Sequence, residues 1–297
     1  MLYTTDTPNQ RDQAVLLSKN TAQIGRPDNT RNIDEKSGGR NGTIKDLTQG
    51  FPPISLDDTN NLARMLCRVD NKYVLRRSEL RAILDELLND FAVLKINGVT
   101  EFKYSSCYFD DNFKSYYDHH QDRRLRFKVR TRHYIDSGET FFEVKLKDKR
   151  GKTNKQRMAC EKLNVPQLDS DNLEMLKKSY KKLYKKDFAF NLDPSIIVNY
   201  TRSTLVSLHG GERVTIDYCL SFNSLTGKSV NIGDDFIIVE TKSAGGKGTV
   251  DGLMKKAGIR QAKKLSKYCI GAILTGRVAK YNHFRKNIKR ILENVVA

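Results

Sequence analysis

The segment Arg124-Leu-Arg-Phe-Lys-Val-Arg-Thr-Arg132 carries a cation at every second residue. Successive side chains of a strand point to opposite faces. Arg124, Arg126, Lys128, Arg130 and Arg132 would therefore project to one side, and Leu125, Phe127, Val129 and Thr131 to the other. The segment is predicted to be a strand with one cationic and one packed face. Residues 142–147 repeat the arrangement, with Glu143, Lys145 and Lys147 alternating against Phe142, Val144 and Leu146. The turn signal Asp136-Ser137-Gly138 between the two runs predicts a hairpin. Later strands near 196–206, 212–222 and 235–242 show the pattern more weakly, in Tyr200 and Arg202, in Arg213, Thr215 and Asp217, and in Glu240 and Lys242.

A charged face on a half-buried sheet is ordinarily its solvated side. Five like charges at alternate positions, however, repel one another at roughly 7 Å spacing, and solvation gives no reason to build such a row. An anion among them does. The whole chain agrees, since 53 Lys+Arg against 35 Asp+Glu give a net charge of +18 over 297 residues. Such a surplus implies a polyanionic partner. The first 50 residues are nearly neutral and rich in Asn, Thr, Gly and Gln, so the basicity belongs to the remainder. Residues 1–52 read as a disordered polar tail and 53–297 as one folded domain.

Around these strands the periodicity is helical. Leu80, Ile83, Leu84, Leu87, Leu88 and Phe91 follow i, i+3, i+4 spacing behind Ser78 as cap. Residues 171–186 set Leu173, Leu176, Tyr180, Leu183 and Tyr184 on one side and six lysines around the other, which reads as a solvated face. Two more helices are predicted over about 252–269 and 279–294, and tight turns at Asp110-Asp111-Asn112 and Lys149-Arg150-Gly151. The fold class is α+β: an antiparallel sheet of about eight strands with flanking helices. Closed into a barrel, that sheet would line a lumen with its cationic faces, where convergent charge binds phosphate strongly. Glu143, Asp217 and Glu240 then serve as metal ligands or charge balancers, because a divalent ion prefers oxygen ligands and bridges to phosphate.

Several functions are disfavoured. Cys67, Cys107, Cys160, Cys219 and Cys269 form an odd, scattered set without CxxC spacing, which argues against a disulfide framework or a zinc cluster. No HExxH pattern occurs, and His119-His120 is the single His pair. Gly245-Gly-Lys-Gly-Thr249 lacks the GxxxxGK[ST] order of a P-loop and reads as a loop. No run of roughly 18 apolar residues and no secretory leader is visible, so a cytoplasmic location is expected.

In order along the chain stand Arg68-Val-Asp-Asn-Lys-Tyr73, Ser106-Cys-Tyr-Phe-Asp110, Arg126 to Tyr134, Phe142-Glu-Val-Lys-Leu-Lys147, Tyr200-Thr-Arg202, Glu212-Arg-Val-Thr-Ile-Asp217, Val239-Glu-Thr-Lys242 and Leu265-Ser-Lys-Tyr268. Together they resemble the polyphosphate-polymerase (VTC) domain family in its bacterial stand-alone form, over about residues 58–290. The resemblance implies the closed barrel of the triphosphate tunnel metalloenzymes and the joining of ATP γ-phosphates into polyphosphate. It implies phosphate contacts from Lys72, Arg130, Arg132, Lys145, Lys155, Arg157, Arg202 and Arg213. It further implies hydroxyl donors at Tyr200 and Ser266, substrate-holding lysines Lys264 and Lys267 on the last helix, and Mn²⁺ or Mg²⁺ at Glu240. The sequence shows neither the SPX-like domain nor the membrane segment of the eukaryotic assemblies, so vacuolar translocation is not implied. Membrane association would come only through a membrane-protein partner.

Two alternatives stand beside an ATP:polyphosphate phosphotransferase. A tunnel triphosphatase would pass the γ-phosphate to water, but such relatives usually begin with a Glu-x-Glu-x-Lys strand, whereas Arg68 to Lys72 offers Arg, Asp and Lys. A non-catalytic polyphosphate- or nucleic-acid-binding protein could use the same charge. No specific nucleic acid is expected, because the aromatic residues mostly fall on the opposite strand face from the cations.

Overall fold

The computed structural model describes residues 44–62, 69–161, 166–293 and 295–296. Its strands are β1 (Pro53–Ile54), β2 (Val69–Leu75), β3 (Phe91–Leu94), β4 (Glu101–Asp110), β5 (Arg126–Tyr134), β6 (Thr140–Lys147), β7 (Thr153–Ala159), β8 (Asp193–Ser207), β9 (Glu212–Ser224), β10 (Ser229–Ile232), β11 (Ile237–Ser243) and β12 (Val295–Val296). The helices are α1 (Ile44–Thr48), α2 (Leu56–Leu62), α3 (Arg77–Asp85), α4 (Lys114–His120), α5 (Ser170–Tyr184), α6 (Thr249–Lys256), α7 (Lys267–Leu274) and α8 (Arg285–Leu292). Eight strands pair antiparallel in the order β2-β11-β9-β8-β4-β5-β6-β7. The long β8 and β9 also carry β3 and β10 at their far ends.

The sheet curls. Ser266 and Lys267, adjacent in sequence, reach Lys128 of β5 at 2.8 Å and Asp217 of β9 at 2.5 Å. In a flat sheet β5 and β9 would lie about 14 Å apart, with β4 and β8 between them. The result is a half-barrel, and the expected closure does not occur: among the described residues β2 and β7 form no ladder with each other. Joining these edges would bring Lys155 and Arg157 of β7 toward Lys72 of β2, cation against cation. The trough therefore stays open along one side.

The packed faces are where alternation puts them. Phe127, Val129, Phe142, Val144 and Leu146 are all buried on the convex side, together with Leu176 of α5. Each such side chain contributes roughly 2 kcal/mol by burial. A second convex core joins Tyr73, Ile237, Val239, Val214 and Ile216 to α3 and α6. The third core fills one end of the trough, where α7 is buried from Tyr268 to Leu274 against Ile196, Val198 and Phe222. Gly271 permits this approach: a Cβ there would lie 2.7 Å from Ile196 Cγ2 and 2.9 Å from Phe222 Cδ1.

Local expectations shift in places. Ile44, Leu47 and Phe51, inside the segment read as tail, are buried against Leu80, Ile83 and Leu87, so the folded part begins before residue 53. Residues 1–43, with Cys67 and Arg68, lie outside the described residues. The cap of α3 is Arg76, whose backbone N–H donates to Glu79 at 2.7 Å, while Ser78 lies within the helix. The predicted turn at Asp110-Asp111-Asn112 opens into α4, started by backbone N–H groups of Ser115 and Tyr116 donating to Asp110. The helix expected over 252–269 is two, broken at Gly258, whose φ of +71° is left-handed. The one expected over 279–294 is a 3₁₀ turn at Asn282–Phe284 followed by α8. Arg124 precedes β5 and is exposed, which leaves four of the five alternate cations on the strand.

Candidate functional site: a cationic trough

The ladder registers bring the charged faces of seven strands to one concave surface. Lys72 stands opposite Glu240, Arg202 opposite Asp217, Arg130 opposite Glu143, and Lys145 between Lys128 and Lys155. Three carboxylates organise this surface, each held by two cations. Glu143 accepts from Arg130, with Nε at 2.7 Å, and from Lys155 at 2.5 Å. Asp217 takes a two-pronged grip from Arg202, 2.5 and 2.8 Å, and Lys267 at 2.5 Å. Glu240 lies 3.1 Å from Lys72 and 2.7 Å from Lys242.

Burial alone would raise these carboxyl groups, but the cations overrule it. Arg130, Arg132 and Lys155 hold Glu143 far below the usual carboxylate range, and Arg202 with Lys267 does the same for Asp217. Lys242, Lys72, Arg202 and Lys145 lower Glu240. The opposing push falls on the lysines. Lys145 reaches solvent in the trough, yet the protein around it and the neighbouring Arg130 bring its ammonium down to about 7. No carboxylate pairs with Lys145 at ion-pair distance among the described residues. Desolvation also lowers Lys128, Lys155 and Lys242.

Contrary to the expected separation of aromatic residues from the cations, tyrosines floor the trough. Tyr104 and Tyr200 stack at 5.1 Å, nearly parallel, and the guanidiniums of Arg132 and Arg202 sit over the pair at 5.3 to 5.9 Å. Lys267 lies 4.7 Å from the Tyr200 ring. Such stacking fixes a guanidinium plane while leaving its N–H groups free to donate. The Tyr200 hydroxyl is buried without a hydrogen-bond partner among the described residues. Arg132 donates through Nε to Ser106 at 3.3 Å, and Arg157 lies 3.4 Å over Phe141.

Of the residues singled out in the sequence, Lys72, Arg130, Arg132, Lys145, Lys155, Arg157, Tyr200, Arg202 and Lys267 share this surface. Arg213 lies on it toward the end marked by Lys242, its register partner. Ser266 caps α7 and accepts from Lys128. Lys264 does not join: it pairs with Asp122 and approaches His283 at 3.4 Å, because its left-handed backbone turns it toward α4. Lys128 and Lys242 also belong to the surface, as their parity with Arg130 and Glu240 predicts, although the family resemblance gives them no role. Among the described residues no three His, Cys, Asp or Glu side chains come together as a metal cage. All three carboxylates are engaged by cations, but Glu143 and Asp217 are closed off from solvent while the Glu240 side chain is 15% exposed, which makes Glu240 the carboxylate that could offer an oxygen in exchange for a lysine. A hard divalent ion takes six or more oxygens and would draw the rest from phosphate and water.

No curated protein sequence matches the chain. Solved structures similar to it include a Hippeastrum protein named as an adenylyl cyclase and reported to have a dominant triphosphatase activity. That likeness has 13% identity over 70% of this chain and 96% of that one, with a TM-score of 0.45. A Bacillus halodurans protein named as an adenylate cyclase has 12% identity, covers 67% and 94%, and scores 0.42. An RNA triphosphatase of S. pombe has 12% identity, covers 77% of each chain, and scores 0.23. These likenesses are shallow and decide nothing. The model of the VTC domain matches residues 67–275, more than half of the chain, and the chain belongs to the VTC domain family.

Proposed function

We propose that the protein is a polyphosphate polymerase of the cytoplasm, transferring the γ-phosphate of ATP to a growing phosphate chain laid along the trough. The observation that carries this reading is the pairing pattern: three carboxylates, each shared by two cations, hold a surplus of positive charge rigidly in place on one concave surface. Carboxylates in that ratio keep arginines and lysines from splaying apart, yet leave N–H groups for phosphate oxygens. Arg forks grip two oxygens at once, and lysines supply movable point charges.

In this reading an oxygen of the chain-terminal phosphate attacks the γ-phosphorus while the bond from that phosphorus to the β-bridging oxygen breaks, and ADP leaves. The attacking oxygen is already ionised, so no protein base is required. Arg130, Arg132 and Arg202 would orient the reacting groups and spread the charge of the transferring phosphoryl. Tyr200 would donate its unpartnered hydroxyl, and Lys72, Lys145, Lys155 and Lys267 would neutralise flanking phosphates. A divalent ion bound with ATP at Glu240 would supply further charge neutralisation. The alternative, triphosphate hydrolysis, uses the same trough and the same cations and differs in taking water as the acceptor.

Incubation of the purified protein with ATP and Mn²⁺ separates the two. A ladder of long phosphate chains on a gel is expected, and release of free phosphate alone would replace polymerisation by hydrolysis. The control variant is Arg132→Gln. Arg130 is unsuitable because its removal strips a buried carboxylate of one partner and confounds activity with folding.

A further inference from the structure

At the end of the trough by α7, β5 and β6 carry their basic residues past the helix to the rim. Arg126 and Lys147 are register partners at the ends of their strands. Burial, with the charges of Lys128, Arg126 and Lys147, pushes the nearby His119 ring down to about 2. The same rim is tied to the convex side of the sheet. The Tyr184 hydroxyl, in the last turn of α5, sits 2.9 Å from the backbone oxygens of both Arg126 and Lys147. That last turn and its extension carry Lys181, Lys182, Lys185 and Lys186, all exposed. Lys181 pairs with Asp187 and Lys178 with Glu174. Lys177, Lys182, Lys185 and Lys186 have no carboxylate at ion-pair distance among the described residues. The acids nearest the rim are otherwise engaged: Asp122 with Lys264, and Asp148 with the backbone N–H groups of Arg150 and Lys152.

A row of lysines one helical turn apart, adjoining a trough of the same sign, is complementary to one extended polyanion rather than to a compact one. We infer that the rim at Arg126 and Lys147 and the lysine face of α5 form an outer binding site for a long polyphosphate chain, continuous with the trough. This rests on the proposed polymerase reading and adds a place for product already made. Each phosphate held outside would keep the chain end within the trough between additions, since a second contact on one chain acts at high effective concentration.

The test uses the full-length protein and preformed chains, so its outcome is independent of whether the enzyme synthesises any. Long polyphosphate and tripolyphosphate are titrated separately, at physiological ionic strength, into the wild type and into Lys182→Gln/Lys185→Gln/Lys186→Gln. These side chains are solvent-exposed, and an unchanged melting temperature checks the fold. The long chain is expected to bind the wild type more tightly than tripolyphosphate does. The variant should lose about tenfold for the long chain, with a shallower salt dependence, and nothing for tripolyphosphate. Equal loss for both ligands, or no loss for the long one, overturns the outer site. So does a loss confined to phosphatidylserine vesicles, which would make α5 a membrane-facing surface. A protein that fails to polymerise ATP yet shows the expected titration would refute the polymerase and leave the site standing.

Discussion

Arg202 and Asp217 lie opposite each other on β8 and β9 and meet through two hydrogen bonds, 2.5 and 2.8 Å, with Lys267 of α7 closing on the same carboxylate. The contact joins the sheet to the helix that plugs the trough. It also means that Arg202 is positioned before any anion arrives. Its side chain is half-buried, and Asp217 holds it even more firmly protonated than usual against the desolvation that would lower it.

Asp217→Asn should therefore be costly in the absence of ligand. Two half-buried cations lose the buried partner they share, and breaking a buried pair from one side costs up to about 3–5 kcal/mol. Denaturant unfolding should show the midpoint falling without a change in slope. Inorganic triphosphate should restore much of the lost stability, because it supplies the negative charge that Asn lacks. A variant as stable as the wild type without triphosphate would contradict this account of the pair.

Lys145 makes the protein's behaviour depend on pH near neutrality. Its ammonium sits at about 7 in the folded chain against an ordinary value of about 10.4. The folded state thus binds fewer protons than the unfolded state between those values, and this group makes stability rise with pH across that window. Triphosphate reverses the preference by favouring the charged form. Calorimetric titration at pH 8 in two buffers of different ionisation enthalpy should show proton uptake on binding. Lys145→Met should abolish that uptake, and equal enthalpies in both buffers for the wild type would refute the assignment.

Tyr200→Phe separates stability from binding. The hydroxyl is buried without a partner, so its removal leaves nothing unsatisfied behind and should change stability by less than about 1 kcal/mol, toward stabilisation. Triphosphate affinity should fall several-fold if that hydroxyl donates to phosphate. Thermal melting and calorimetry on the same samples read the two effects. Unchanged affinity would remove Tyr200 from the site.

Gly271→Ala tests the packing of α7. The added carbon meets Ile196 and Phe222 at distances that side chains cannot occupy without shifting. Overpacking of a filled core costs about 1–3 kcal/mol. The melting temperature should drop, and the displaced Lys267 should weaken triphosphate binding in parallel.

How much could be read beforehand follows from the range of each interaction. Alternation is a property of neighbouring residues, so the strand identity of 126–134 and 140–147 and the separation of cationic from packed faces were legible without coordinates. The same holds for the lysine stripe of α5. Parity alone places Lys128 and Lys242 on that face as well. Ile44, Leu47 and Phe51 could not be read this way, because three apolar residues scattered through a polar stretch acquire meaning only when α3 is there to cover them.

The sequence by itself determined which residues face the same side of each strand, because the pleat turns every second side chain the same way whatever the rest of the chain does. The tertiary structure alone decided that the sheet curls without closing, that each carboxylate is shared by two cations, and that Lys264 turns away to Asp122. Those outcomes depend on distances between strands and helices far apart in the chain, which curvature and the wedge of α7 set together.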